Sequence, residues 1–213
     1  MTIAIARKIL FRPLALLIAA LLLAALGHPS DPQPAAEPPA GQLLIASAQL
    51  QDPRFRHSVV LLLRHDASGA FGIIINRPLG EQPIAELLTG DGSDQDKDDA
   101  TIEGTIAVFF GGPVEPQRGF VVHSADYRRP ATLAAGEHLA MTADKQVLRD
   151  IGRHRGPAKY LFAAGYAGWG PGQLEGEIAR RDWFTAPADP ALVFDADRET
   201  LWDTALARRT REL

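Results

Sequence analysis

The densest run of unusual backbone chemistry is Gly165-Tyr166-Ala167-Gly168-Trp169-Gly170-Pro171-Gly172-Gln173-Leu174-Glu175. Gly165, Gly168, Gly170 and Gly172 open conformations closed to other residues and let a second chain or a ligand approach the backbone. Free N–H groups where the following helix begins can hold an anion. The spacing is neither G-x-G-x-x-G nor G-x-x-x-x-G-K-[ST], so no nucleotide fingerprint is present. Glu175 in the first turn suits the helix dipole but repels phosphate. Two readings stand: a strand-to-helix corner packed by Tyr166 and Trp169, or a loop that binds through Gly168, Trp169, Gly170 and Gln173. If φ is positive at Gly168, a β-branched residue there strains the backbone.

A second constellation is Gly111-Gly112-Pro113-Val114, followed by Arg118-Gly119 and His123-Ser124. The paired glycines before proline make a turn, and Arg118 can offer a bidentate contact to an anion or stand solvated. Asn76-Arg77-Pro78 ends an apolar run, where Asn76 can cap the turn and Arg77 can point to a shared cleft. Serine–histidine catalysis is not legible: in His57-Ser58 and His123-Ser124 neighbouring strand residues face opposite ways. No G-x-S-x-G elbow occurs. Asp91, Asp94, Asp96, Asp98 and Asp99 superficially resemble a calcium loop, but Asp99 falls where glycine is needed and Thr105 where glutamate is needed. The histidines show no close metal-ligand spacing, and with no cysteine there is no thiolate nucleophile, disulfide or thiolate metal site. Neither a metal nor a cofactor is expected.

The elements that must position these residues follow from composition and patterning. The 213 residues, 46% hydrophobic and 23% charged, suit one globular domain with appendages. A net charge of −4 opposes direct contact with DNA, and the basic run Arg149, Arg153, His154, Arg155 and Lys159 sits mostly at a helix C-terminus, where it complements the dipole. Residues 1–27 read as a signal peptide or membrane anchor. Arg7, Lys8 and Arg12 precede the uncharged run Leu14–Leu26, too short to span a bilayer and the right length for an export signal. Cleavage after Gly27 removes three positive charges and takes the net charge from −4 to −7. Residues 28–40 carry five prolines and read as an extended linker. The folded domain is expected over 41–213.

Within it, Gln42–Ala46, Ser58–Arg64 and Phe71–Asn76 read as strands, the latter two buried on both faces and joined through a five-residue connection, His65–Gly69. Pro83–Leu88 reads as a short helix and Gly90–Glu103 as an acidic loop. Ile106–Phe110, Phe120–His123, Leu139–Met141 and Lys159–Ala164 resume strand character, with Val193-Phe194 a strand stub. Thr142 is placed to cap a helix reaching Arg153, and Gly172–Arg180 and Asp197–Arg208 complete the helices. Strands grouped together with helices later favour α+β over a doubly wound fold.

These segments in this order resemble the YqgE/AlgH family. The resemblance rests on Gly41–Ala46, Asp52-Pro53-Arg54-Phe55, Ser58-Val59-Val60, His65 and Gly69–Gly72. It continues through Asn76–Leu79, Phe110–Val114, Arg118-Gly119-Phe120, Gly165–Glu175 and Trp183–Pro190. It implies an α+β fold with a split, barrel-like mixed sheet flanked by helices, and no defined reaction. Family members are typically cytoplasmic, so the leader and proline linker are additions that imply an exported or periplasmic protein. A cytoplasmic or inner-membrane-anchored protein is the alternative. Ser47-Ala48 also replaces the family's usual Met-Pro after the first strand.

The expected function is a non-catalytic binding or regulatory module. Its surface would be built from Asn76, Arg77, Gly111, Gly112, Arg118, His123 and the Gly168–Gln173 segment. Its expected partner is a protein or a small-molecule ligand, with membrane contact if the leader is retained. The alternative is an enzyme whose cleft gathers the Asn76, Gly112–Arg118 and Gly168 loops, with His123, Arg118 and Asn76 converging.

Overall fold

The computed structural model describes residues 39–88 and 102–210. The leader, nearly all of the proline-rich linker and most of the acidic stretch lie outside the described residues. The chain forms β1 (Gln42–Ala46), β2 (Val59–Asp66), β3 (Gly69–Ile74), β4 (Pro78–Pro83) and α1 (Ile84–Leu88). It continues through β5 (Thr105–Phe110), β6 (Val114–Ser124), β7 (Thr132–Ala135), β8 (Leu139–Thr142) and α2 (Gln146–Gly152). Last come β9 (Tyr160–Trp169), α3 (Gln173–Ala179), β10 (Trp183–Pro187), a π-helical turn (Ala191–Asp195) and α4 (Leu201–Ala207).

The strands run in the order β10-β1-β2-β3-β9-β6-β8-β7, and β9 also takes β5, which carries β4. Neighbours are antiparallel except β5 and β9, so the sheet is mixed. It splits along one edge of β9. Residues 162–164 of that edge pair with β5, whereas residues 167–169 pair with β3. Between the two branches the Ile74 N–H donates to the Gly111 carbonyl at 2.8 Å, and the Gly111 N–H to the Ala164 carbonyl at 2.8 Å. At the far end the sheet curls until the Ala135 backbone, closing β7, lies against Gly41 at the start of β1. The fold is therefore α+β, with a split, barrel-like sheet flanked by helices.

Strand alternation sends successive side chains to opposite faces, and here both faces are covered. Leu43 and Ile45 of β1 and Leu61 and Leu63 of β2 enter a central core inside the curl, with Phe120, Val122, Leu161 and Ala163. Leu44, Ala46, Val60 and Leu62 point outward into a second core closed by Leu174 of α3, Trp169 and Trp183. A third core, Val108, Val121 and Phe162 under Ile84, Leu88, Val147 and Leu148, fixes α1 and α2 to the other branch.

Several expectations need correction. The connection between β2 and β3 is two residues, because Asp66 pairs with Gly69 and the Asp66 carboxylate accepts the Ser68 N–H at 2.8 Å. Thr142 ends β8 and does not cap α2; the Asp144 carboxylate accepts the Gln146 N–H at 2.8 Å instead. Val193-Phe194 lies in the π-helical turn, where an apolar dipeptide without strand partners joins the core through Leu192 and Val193. Strand β9 runs on to Trp169, so the corner into α3 is confined to residues 170–172.

Candidate functional site

The glycines of the two rich segments meet at the split. A Cβ on Gly111 would sit 2.2 Å from the Gly165 carbonyl oxygen, and one on Gly112 would sit 2.1 Å from the Tyr166 carbonyl carbon. Gly112 has φ 151° and Gly165 φ 75°, both closed to most side chains. Chain–chain approach thus takes up the space these residues leave. Gly168 is different. It sits within β9, outside the positive-φ residues, so the strain expected of a β-branched replacement has no basis there.

Just beyond the crossing, β6 bulges. Val114 pairs with Tyr166, and the next paired residue, Gly119, faces Ala164. The residues between, 115–118, leave the ladder; Pro116, which has no N–H to give, is tolerated there. Glu115 takes φ 45°, a left-handed conformation uncommon for a residue with a side chain. Bulges re-aim side chains, and this one presents Arg118 to a concavity.

That concavity is the mouth of the half-barrel, about 570 Å³. Its walls come from six strands in sheet order: Arg64 (β2), Ala70 and Phe71 (β3), Tyr166, Gly168 and Trp169 (β9), Val114, Arg118 and Phe120 (β6), Met141 (β8) and Leu133 (β7). Ala143, just after β8, also lines it. Phe71, Phe120, Tyr166 and Met141 belong to the central core, so the mouth is where that core meets solvent. The rings of Phe71 and Tyr166 lie 4.9 Å apart, those of Phe71 and Phe120 5.7 Å, and those of Phe120 and Tyr166 5.9 Å. The Arg118 guanidinium stands 5.4 Å from the centre of the Phe120 ring, within cation–π range. Its Nη1 donates to Glu115 at 3.2 Å, and the Tyr166 hydroxyl donates to the other Glu115 oxygen at 3.4 Å.

Two further depressions border the mouth. One, about 510 Å³, has an apolar floor of Val108, Val121, Val147, Leu148 and Phe162 under α1 and α2, and shares Arg118 and Ala143 with the mouth. The other, about 210 Å³, shares Val114, Gly168 and Trp169 with it and is lined by Arg54, Phe55, Gln173, Glu177 and Trp183. In the smaller one, a single Glu177 oxygen accepts the indole N–H groups of both Trp169 and Trp183 at 2.8 Å. Its other oxygen accepts from Gln173 at 2.8 Å, and Gln173 in turn accepts the Gly170 N–H at 3.1 Å. Beside this corner His65, its side chain almost fully buried, meets Glu175 at 2.9 Å and ties β2 to α3. The Glu175 N–H, and then His65, hold that carboxyl below its ordinary value against the opposing effect of burial.

The other sequence candidates are occupied elsewhere. Asn76 accepts the Val59 N–H at 2.9 Å and donates to the His57 carbonyl at 2.8 Å. Arg77 donates to the carbonyls of Arg54 and Arg56 at 2.5 and 2.6 Å, fixing the loop before β2, and burial pushes its pKa down. His123 is fully buried, donating through Nδ1 to the Ser124 carbonyl at 2.8 Å and accepting at Nε2 from Thr142 at 2.9 Å. Asn76, Arg118 and His123 therefore occupy separate environments and do not converge. Arg118, Gly168 and Trp169 do share the mouth, whereas Gly168, Trp169 and Gln173 share the smaller pocket. Sequence reasoning missed Arg64, Phe71, Phe120 and Tyr166 as one site. The mouth draws one to three residues from each strand, and no local motif announces such a gathering. Among the described residues no group of three or more His, Cys, Asp and Glu side chains is disposed to hold a metal ion.

Comparison with known proteins agrees with this architecture. A family model described as AlgH-like matches residues 43–213. A UPF0301 protein of Jannaschia sp. is 47% identical over 168 residues, covering 78% of this chain and 85% of that protein. One from Sphingopyxis alaskensis is 41% identical, covering 78% of this chain and 87% of its own. The solution structure of the AlgH protein from Pseudomonas aeruginosa superposes with a TM-score of 0.64 at 37% identity, over 83% of this chain and 92% of that one. A Corynebacterium diphtheriae crystal structure shares the fold at 23% identity, with a TM-score of 0.59 over 82% of this chain and 88% of that one.

Proposed function

The chain belongs to the AlgH-like (YqgE/AlgH) family, and from the geometry of its half-barrel we propose that it is a non-catalytic binding module whose ligand sits in the mouth. One observation carries this reading. The mouth is concave, largely apolar and aromatic, with only a few polar groups at its edge, which is the make-up of a small-molecule site. Barrel mouths are also among the places where such sites recur. General acid–base chemistry needs a proton carrier within hydrogen-bond reach of the reacting group. The lining side chains comprise two guanidiniums, four aromatic rings and small or aliphatic groups; neither a carboxylate nor an imidazole is among them. The phenol of Tyr166 is directed at Glu115, outside the lining.

The test is amide chemical-shift mapping of the labelled chain against a small-molecule collection, run beside a broad substrate screen. Binders should shift the amides of Phe71, Phe120, Leu133, Met141 and Tyr166 as a group. Shifts gathered around a different cavity, or robust turnover in the screen, would refute the reading.

A further inference from the structure

We propose that the ligand of the mouth is a small aromatic organic anion, its ring on the Phe71–Phe120–Tyr166 floor and its acid group held by Arg118 and Arg64. This rests on the binding reading above and adds the ligand's charge and shape to it.

The first argument is the sign of the charge. The chain carries a net charge of −4, yet the charged residues lining the mouth are two arginines. They reach it from β2 and β6, on either side of β3 and β9, and a guanidinium pairs with a carboxylate or sulfonate through two parallel N–H donors. The second argument is that their present partners leave most of that capacity unspent. Arg64 Nε lies 3.5 Å from Asp66, a loose contact between groups that are about half exposed. Asp66 is turned toward the Ser68 N–H and hydroxyl, which, hydroxyl first, hold its carboxyl below the ordinary range. Arg118 spends Nη1 on Glu115, a solvent-exposed pair that an incoming anion can displace or join.

The third argument is preorganisation. Glu115, in its left-handed conformation, and Pro116 shape the bulge that carries Arg118 to the mouth, and its guanidinium already stands 5.4 Å from the centre of the Phe120 ring of the floor. Size and shape are the fourth. A volume of about 570 Å³ suits a ligand of one or two fused rings, and the three tilted rings offer both edges and faces for stacking. A neutral or cationic ring would gain the floor and forgo the rim.

The probes are 8-anilinonaphthalene-1-sulfonate, a ring system with an anion, and its uncharged counterpart N-phenyl-1-naphthylamine, both titrated by fluorescence into the full chain. The sulfonate should bind at one site and more tightly than the neutral probe. Arg118→Gln and Arg64→Gln should each weaken the sulfonate by about fivefold, weaken the neutral probe by clearly less and change the melting temperature little. Raising the salt concentration should weaken the sulfonate selectively. Equal affinities for the two probes, indifferent to both substitutions, would overturn the anion assignment while leaving a binding mouth intact. Amide shifts from both probes that map away from the mouth would overturn both readings. An acidic, phenylalanine-containing peptide that displaces the sulfonate at lower concentration would overturn the assignment to a small molecule.

Discussion

Gly112 and Gly168 look alike in the sequence, each inside a glycine-rich run, yet the fold uses them differently. At Gly112 a methyl group would lie 2.1 Å from the carbonyl carbon of Tyr166, and φ is 151°. Both obstacles are backbone, which cannot swing aside as a side chain can. At Gly168 the conformation is ordinary for a strand, and a methyl group would meet only the edge of the Tyr166 ring, at 3.3 Å. Gly112→Ala should therefore cost roughly 3 kcal/mol or more, lowering the melting temperature by roughly 6–12 °C. Gly168→Ala should stay within about 1 kcal/mol. Thermal melts of the two variants check this, and equal melting temperatures would contradict it. The same division applies to the polar candidates. Asn76 and Arg77 are committed to loop backbone, whereas Arg118 is carried out of the ladder by a bulge that residue types alone do not reveal.

Strand β9 decides how the elements fit together, and α3 is locked against its end. Glu177 accepts three donors, the Trp169 and Trp183 indoles on one oxygen and Gln173 on the other. In Glu177→Gln an amide nitrogen must face either two indole N–H groups or the Gln173 amide. Rotating Gln173 does not relieve this, because its own oxygen is engaged by the Gly170 N–H. A donor set against a donor, together with loss of charge-assisted bonds, should cost about 2 kcal/mol, or roughly 4–8 °C in melting temperature. The near-ultraviolet tryptophan signal should change as well; an unaltered melt and spectrum would show that the clamp contributes nothing. Legibility also divides at this scale. Strand β1 was readable to the residue, and β2 and β3 were readable as doubly buried, because unbroken apolar runs have few other homes. In the sequence Gly165 reads as the stop of a strand ending at Ala164, because glycines punctuate most sequences, whereas in β9 they admit the crossing chain without ending the ladder. Strands β4, exposed throughout, and β10, ending in proline, lack the apolar alternation that marks a strand, and partners far along the chain select them.

For the whole molecule, two partly buried polar networks joined at Arg129 add a histidine step to the acid response that Glu175, Asp66 and the other depressed carboxyls also share. In one, His123 accepts from Thr142, whose hydroxyl is bonded to Thr132, and Thr132 accepts the Arg129 N–H at 2.9 Å. In the other, the Arg129 guanidinium pairs with Asp150, which also accepts from Tyr127 at 2.7 Å and from Gln146 at 3.0 Å. Burial pushes the His123 imidazole below its ordinary pKa, outweighing the Ser124 carbonyl and Asp126, which favour the proton. Burial pushes Asp150 the opposite way, but Arg129, Tyr127 and Gln146 together prevail and hold its carboxyl below the ordinary range. In both groups the folded state binds its proton more weakly than the unfolded chain does, so stability falls as pH falls. The windows differ. His123 acts from its ordinary value near pH 6.5 downward, at up to about 1.4 kcal/mol per pH unit, and Asp150 only below about pH 4. The melting temperature should accordingly begin to decline as the pH falls through about 6.5, and fall further once the pH drops below about 4. His123→Gln keeps an acceptor for Thr142 and has nothing to titrate, so it should flatten the first decline and leave the second. If that variant does not fold, a ring-proton titration of His123 in the parent chain reads the same quantity. A His123 midpoint at or above the value of a free imidazole, or a first decline that persists in His123→Gln, would refute the assignment.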